Sequence, residues 1–145
     1  MIVKRQQHRK MGIDYGDARI GIALTDPLNI ICSPFEVYKN VGREDALTHI
    51  DMLIKEYDVD EVALGLPLNM DGSEGERAKL HREFGETLAT FSNVKVHYID
   101  ERLTSAEAEE ILIASRVRRE KRKDIIDKIA AQLILQSFIN SKKGE

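Results

Sequence analysis

The sequence predicts an α/β domain built on one mixed five-stranded sheet with helices on both faces. Three observations support this. Strand-like segments joined by turn residues come first, and segments of helical and strand period then alternate. The chain has 145 residues, 42% of them hydrophobic and 32% charged, which is the size and composition of one globular domain. The predicted order β-β-β-α-β-α-β-α-α gives antiparallel hairpins followed by right-handed βαβ units.

Turn residues separate the first three predicted strands. Residues 11–14 are a short apolar strand that runs into the turn signal Gly16-Asp17, and residues 19–25 form its antiparallel partner. A second turn precedes a third strand at residues 30–38, where Pro34 marks an edge or a bulge.

The period then changes to that of a helix. Apolar residues at three- and four-residue spacing predict helices at 46–57 and 78–91. Continuous or alternating apolar runs predict strands at 62–66 and 94–99. Thr104 and Glu107 form a capping box that begins a third helix, and residues 124–140 form the last one. We expect one domain over 9–141, a flexible basic leader at 1–8 and a tail at 142–145.

Composition excludes several classes of protein. No apolar run is long enough to cross a membrane, and the polar N-terminus has no secretory signal, so we expect no membrane partner. The single cysteine, Cys32, cannot form an intrachain disulfide, which favours a cytoplasmic location. The net charge of −3 means that any nucleic acid must bind to a local basic patch, for which residues 116–123, including Arg122 and Lys123, are the candidate. A solvated helix connection is the alternative interpretation of that run.

Acidic side chains stand beside hydrophobic elements at three separated places: Asp14, the Asp100-Glu101 pair, and Asp127. A carboxylate near a core costs desolvation energy unless it is paired or binds a metal. If the fold brings the three together, they form an oxygen-rich Mg²⁺ site typical of enzymes that cleave phosphodiesters.

Each acid also has a plainer explanation. Asp14 fits a turn before Gly16, and Asp100-Glu101 with Arg102 fits a capping and salt-bridge cluster. Asp127 fits an exposed acid, and Asp124 is a second candidate on the same helix. The functional interpretation makes one of Asp100 and Glu101 a metal ligand and makes Arg102 a phosphate clamp. Strand alternation does not decide between the two acids, because the strand ends there.

Four blocks in order resemble one known family. They are Gly12-Ile13-Asp14-Tyr15-Gly16 with Arg19-Ile20-Gly21-Ile22-Ala23; the run from Gly65 to Gly75; Asp100-Glu101-Arg102-Leu103-Thr104; and Lys123 through Asp127 to Gln136. Together they resemble the YqgF/RuvX family of ribonuclease H-like proteins, named as nucleases of the 16S ribosomal RNA precursor and earlier as Holliday junction resolvases. The match runs from about residue 11 to residue 140. One departure is Ala18, where many members carry lysine.

The resemblance implies a ribonuclease H-like sheet on which Asp14, Glu101 or Asp100, and Asp127 converge as catalytic residues. It favours Asp127 over Asp124, because the family's acid precedes the Ala-Ala pair. Asp14, Glu101 and Asp127 would hold Mg²⁺, with Mn²⁺ as an alternative. The substrate-binding residues that follow from the matched blocks and the basic run are Arg19, Arg102, Thr104, Arg122 and Lys123.

The resemblance therefore predicts a metal-dependent endonuclease that processes the 5′ end of the 16S ribosomal RNA precursor. Alternatives stay open. One is a resolvase of four-way DNA junctions, which would work as a homodimer. Others are a non-catalytic RNA-binding or transcription-associated factor, and a nucleotide-binding module, for which one domain is too small.

Overall fold

The sheet has five strands in the order β3-β2-β1-β4-β5. The computed structural model describes residues 8–102 and 119–143, and within the second range it describes the side chains of residues 126 and 129–142. The described elements are β1 (Arg9–Tyr15), β2 (Arg19–Thr25), β3 (Cys32–Lys39), α1 (Arg43–Glu56), β4 (Val59–Leu66), α2 (Glu76–Ser92), β5 (Lys95–Asp100) and α3 (Arg119–Lys143). Residues 1–7 of the leader predicted at 1–8, and the helix predicted from Thr104, lie outside the described residues.

The mixed sheet is confirmed. β1 pairs antiparallel with β2 and parallel with β4, so Ile13 lies between Ile22 and Leu64. β5 adds in parallel to the other side of β4. β3 is an edge strand, and its register with β2 shifts beside Pro34, so the proline marks both an edge and a bulge. The chain therefore leaves β1, β4 and β5 at the same edge of the sheet.

Helices cover both faces, as predicted. Alternation along β1 turns Met11, Ile13 and Tyr15 toward the core under α1 and α2, where Phe84 and Leu88 are buried. The opposite face meets α3 through Ala131, Ile134 and Leu135. α3 packs directly on β1, because a Cβ on Gly12 would lie 2.5 Å from the Ala131 carbonyl oxygen. Gly12 thus lets helix and strand backbones touch.

α3 is longer than the sequence predicted. It begins at Arg119 instead of residue 124, because the basic residues at its start are good helix formers, and it ends at Lys143. Two contacts show the direction in which α3 runs across the sheet. Ile134 lies next to Gly65 near the end of β4, whereas Lys142 bonds Glu61 near the start of β4. The beginning of α3 therefore points toward the edge where β1 and β4 end. Over residues 8–102 and 119–143, no helix has both the length and the apolar character needed to span a membrane.

Candidate functional site

Asp14 and Glu101 come together at the edge where the parallel strands end. Asp14 is next to the last residue of β1, and Glu101 directly follows β5. The Glu101 amide donates to the Leu66 carbonyl at 3.2 Å, which fixes the chain as it leaves β5. The two carboxyl groups share a hydrogen bond. The structure thus brings together two of the acids that are 87 positions apart (101 minus 14) in the sequence.

Gly65 makes this meeting sterically feasible. β4 lies between β1 and β5, so the Glu101 side chain must pass over β4 to reach Asp14. A Cβ on Gly65 would clash with the Glu101 carboxylate and would lie 2.7 Å from Ile134 Cδ1. Any larger residue at position 65 would therefore displace the carboxylate or the helix.

The environment of Glu101 favours its protonated form. Burial, the negative charge of Asp14 and the hydrogen bond from one carboxyl group to the other raise the pKa of Glu101 well above its ordinary value. Arg77 opposes this rise through its positive charge. Two carboxyl groups held this close repel each other when both are ionised, so the pair binds either a proton or a cation.

Asp100 faces a different partner. Arg102 Nη2 donates to Asp100 Oδ2 at 2.7 Å, and Arg102 Nε lies 3.0 and 3.1 Å from the two oxygens of the same carboxylate. These hydrogen bonds from Arg102 lower the pKa of Asp100. The two neighbouring acids thus have separate surroundings: Glu101 is directed toward Asp14, and Asp100 is paired with arginine.

Arg102 also holds the loop between β4 and α2. Its Nη1 donates to the Met70 carbonyl at 3.2 Å. Within that loop the Asn69 amide donates to the Ser73 carbonyl, and the Ser73 amide donates to Asp71 Oδ1, both at 2.9 Å. Several amides of this loop are therefore bonded within the loop itself.

The remaining predicted site residues divide into two groups. Arg19 begins β2, and its carbonyl accepts a hydrogen bond from the Gly16 amide at 3.0 Å. Asp127, Arg122 and Lys123 belong to α3, but their side chains lie outside the described residues. Thr104 lies wholly outside them.

Two residues near the acids were missed by sequence reasoning. Arg77, in the first turn of α2, affects the charge of Glu101 and pairs with Asp17 at 3.1 Å. His81, one turn later, is only 4% exposed, and its Nδ1 lies 2.9 Å from the Gly65 carbonyl oxygen. A polar residue on the apolar stripe of α2, between Ala78 and Phe84, was the available signal for His81.

A cleft of about 340 Å³ opens beside these residues on the face of the sheet covered by α1 and α2. Its lining includes the ring of Tyr15, which stacks on Phe84 with centroids 4.0 Å apart. The residues that line it are Tyr15, Asp17, Asn40, Gly42, Arg43, Arg77, Leu80, His81, Glu83 and Phe84. The cleft and the acidic pair therefore adjoin the same strand ends.

The donor chemistry at the acidic pair fits a hard divalent cation. Asp14 and Glu101 offer only carboxylate oxygens, which are the ligands that Mg²⁺ and Mn²⁺ prefer. Burial and the charge of Asp14 raise the pKa of Glu101, and the missing Cβ of Gly65 leaves room for its carboxylate. These two residues could therefore hold part of a metal's coordination shell.

Comparison with known proteins gives a consistent result. A family model described as RuvX, Holliday junction resolvase, matches residues 8–141. A protein of Endomicrobium trichonymphae is 47% identical over 139 residues, covering 95% of this chain and 99% of the relative. One of Halothermothrix orenii is 46% identical, covering 91% of this chain and 94% of the relative. Both bear the name "Putative pre-16S rRNA nuclease".

Solved structures agree on the fold. RuvC of T. thermophilus, in complex with a Holliday junction substrate, superposes with a TM-score of 0.62 at 14% identity, covering 94% of this chain and 96% of that one. The fowlpox virus Holliday junction resolvase gives a TM-score of 0.54 at 16% identity, covering 92% of this chain and 99% of that one. At these identities the likeness concerns the architecture of the sheet and its helices.

Proposed function

Because this chain belongs to the RuvX family, we propose that it is a metal-dependent endonuclease that processes the 5′ end of the 16S ribosomal RNA precursor. The observation that carries the proposal is the shared hydrogen bond between Asp14 and Glu101 at the carboxyl edge of the parallel strands. This edge is where ligands bind in open α/β sheets. The names of the relatives support the choice of substrate.

In this proposal Asp14, Glu101 and Asp127 hold Mg²⁺ or Mn²⁺. The direction of α3 supports the inclusion of Asp127, because its backbone position lies before Ile134, on the side toward the end of β4. A bound metal would supply an activated water and would stabilise the leaving 3′ oxygen. Asp14 and Glu101 would have to lose the proton that they share in order to accept the metal.

Basic side chains around the acids would bind the substrate's phosphates. Arg102 is the best placed among the described residues, since it lies beside Asp100 and already contacts the loop from β4 to α2. A phosphate could take the place of Asp100 as its bidentate partner. We propose Arg19, Thr104, Arg122 and Lys123 as further contacts, and Asp100 as a residue that holds Arg102 in position.

The test is cleavage of a 5′-extended 16S precursor RNA with Mg²⁺, comparing the wild-type protein with Asp14→Asn and Glu101→Gln. Both variants should lose at least about 100-fold in rate, since each removes a charge needed at the reacting phosphate. Wild-type rates in either variant would overturn the proposal.

Asp58→Asn is the matched control. Asp58 precedes β4 at the opposite end from Gly65, and its φ of 55° is one that asparagine adopts readily. The same chemical change is thus made far from the acids. The control should cleave like the wild-type protein.

A second candidate is resolution of four-way DNA junctions, which the description of the matching family model favours. The chemistry at Asp14 and Glu101 would be the same, but two copies would be needed to cut two strands. A junction substrate beside the precursor RNA in the same assay separates the two candidates. The homodimer and the cytoplasmic location stay predictions, which size-exclusion chromatography and cell fractionation can test.

A further inference from the structure

We propose that the cleft lined by Tyr15, His81 and Arg43 is the subsite for one nucleotide of the substrate strand, with His81 Nε2 accepting a hydrogen bond from that nucleotide. This inference rests on the proposed nuclease function. It adds a binding site on the face of the sheet away from α3, whereas the acidic pair lies on the face that α3 covers.

The hydrogen bond from His81 to Gly65 determines what the imidazole offers to the cleft. The Gly65 carbonyl oxygen can only accept, so His81 Nδ1, at 2.9 Å, carries the proton. Burial lowers the pKa of His81, so the ring is neutral at physiological pH. Its Nε2 is therefore a fixed acceptor, and none of the described residues donates to it. An acceptor without a donor in the wall of a cleft is suited to a ligand with an N–H or O–H group.

The other lining groups select a nucleotide from among such ligands. The apolar part of the lining consists of the stacked rings of Tyr15 and Phe84 and the exposed side chain of Leu80. Arg43 and Arg77 are also part of the lining and bring guanidinium groups to the cleft. An apolar face suits a base, which stacks on aromatic rings, and the guanidinium groups suit its phosphates.

Charge balance and size agree with this choice. Asp17 and Glu83 also line the cleft, so it is not the purely cationic site that a free phosphate would favour. Four charged side chains equally disfavour a wholly apolar ligand. The volume of about 340 Å³ lies within the range of small-ligand sites, roughly 300–1,000 Å³.

Gly65 connects this cleft to the acidic pair. Its carbonyl oxygen holds His81, while the space left by its missing Cβ is filled by the Glu101 carboxylate. Arg77 also belongs to both places, because it lines the cleft and its charge acts on Glu101. A strand whose phosphate lies at Asp14 and Glu101 would therefore place a neighbouring nucleotide within reach of His81.

The experiment measures binding without cleavage. The full chain in EDTA is titrated into fluorescein-labelled single-stranded RNA, and into DNA of the same sequence, with fluorescence anisotropy as the readout. His81→Asn is the main variant, because the asparagine amide can still donate to Gly65 but has no atom in the place of Nε2. We expect the Kd to rise about fivefold to tenfold, which corresponds to the loss of one hydrogen bond. The Tm of the variant is measured to check that it is folded.

Arg43→Gln keeps the proposal testable if His81→Asn folds poorly. It should weaken binding. It should also reduce the slope of log Kd against the logarithm of the salt concentration by about 1, because one phosphate contact is lost. Lys79→Gln is the matched control, since Lys79 is exposed on α2 and is not part of the cleft lining. Its loss of charge should change Kd less than twofold.

The two nucleic acids distinguish the donor group. A loss on RNA alone assigns the hydrogen bond to the ribose 2′-hydroxyl, whereas an equal loss on both assigns it to a base. Binding by His81→Asn and Arg43→Gln that matches Lys79→Gln on both probes would overturn the subsite. Failure of the nuclease proposal would appear in the separate cleavage assay, as a wild-type protein that does not cleave RNA but still binds it through the cleft.

Discussion

The Glu101 carboxylate occupies the space that a Cβ on Gly65 would fill. One hydrogen atom in place of a methyl group thus allows an acid from one side of β4 to meet Asp14 on the other. The contact also joins two parts of the fold, because Ile134 of α3 approaches the same position at 2.7 Å.

Gly65→Ala should reduce metal-dependent cleavage by about 100-fold, because displacement of a reacting group by about 1 Å has that effect. Gly12→Ala is the comparison, since it also adds a methyl group against α3 but meets Ala131 and Leu135 instead of an acid. Gly12→Ala should mainly lower stability, by about 1–3 kcal/mol. Rates at a temperature where both variants are folded, together with their Tm values, check this. Equal activity in both would contradict it.

Glu101→Gln should stabilise the metal-free protein while it abolishes cleavage. The pKa of Glu101 is raised in the folded state, so folded protein binds more protons than unfolded protein above pH 4.5. Stability in EDTA should therefore fall as the pH rises from about 4.5 through the folded-state pKa, and the variant should lack this fall. We expect a gain of about 0.5–2 kcal/mol at pH 8. Thermal unfolding at pH 5 and pH 8 tests this, and an unchanged pH dependence in the variant would count against it.

Asp100→Asn should separate the two neighbouring acids. Asp100 is paired with Arg102, so its substitution should leave metal-dependent cleavage within about tenfold of wild type, whereas Glu101→Gln should lose at least about 100-fold. The effect of Asp100→Asn should fall mainly on KM, because Arg102 loses the partner that positions it. Steady-state kinetics on the same RNA give the answer. A greater loss in kcat for Asp100→Asn would assign the metal to Asp100 instead.

Glu61 should govern acid stability at the other end of the sheet. Burial alone would raise its pKa, but hydrogen bonds from Lys10, Lys142 and His97 lower it to about 2. The pKa of Glu61 is below the ordinary 4.5, so the ionised side chain stabilises the folded state above pH 4.5. This stabilisation is lost as the pH falls toward 2. We expect Glu61 to add about 1–2 kcal/mol to the free energy of unfolding at pH 7, a value reduced by solvent screening because Lys142 is 41% exposed. Urea unfolding of wild type and Glu61→Gln at pH 7 and pH 3 checks this: the difference should be larger at pH 7.

Hydrophobic period and turn residues were enough to predict five strands in one mixed sheet. They also identified the acids at the strand ends, because an element's end can be read from local sequence. They did not separate Asp100 from Glu101. The orientation of the last side chains of a strand depends on contacts with neighbouring strands, here the contacts of Glu101 with Gly65 and Asp14. For the same reason, Arg77 and His81 went unrecognised: each depends on a contact with a distant segment.

The packing of α3 on Gly12 also affects when the protein can act during its synthesis. α3 follows all five strands, yet it covers β1 and the buried face that holds Ala23 and Ala63. Because a chain is made from its N-terminus, the residues of the five strands leave the ribosome before the helix that covers this face. A nascent chain that ends before Arg119 should therefore be open to proteases and inactive on RNA. We therefore expect a nuclease built in this way to become active only after its final helix has docked.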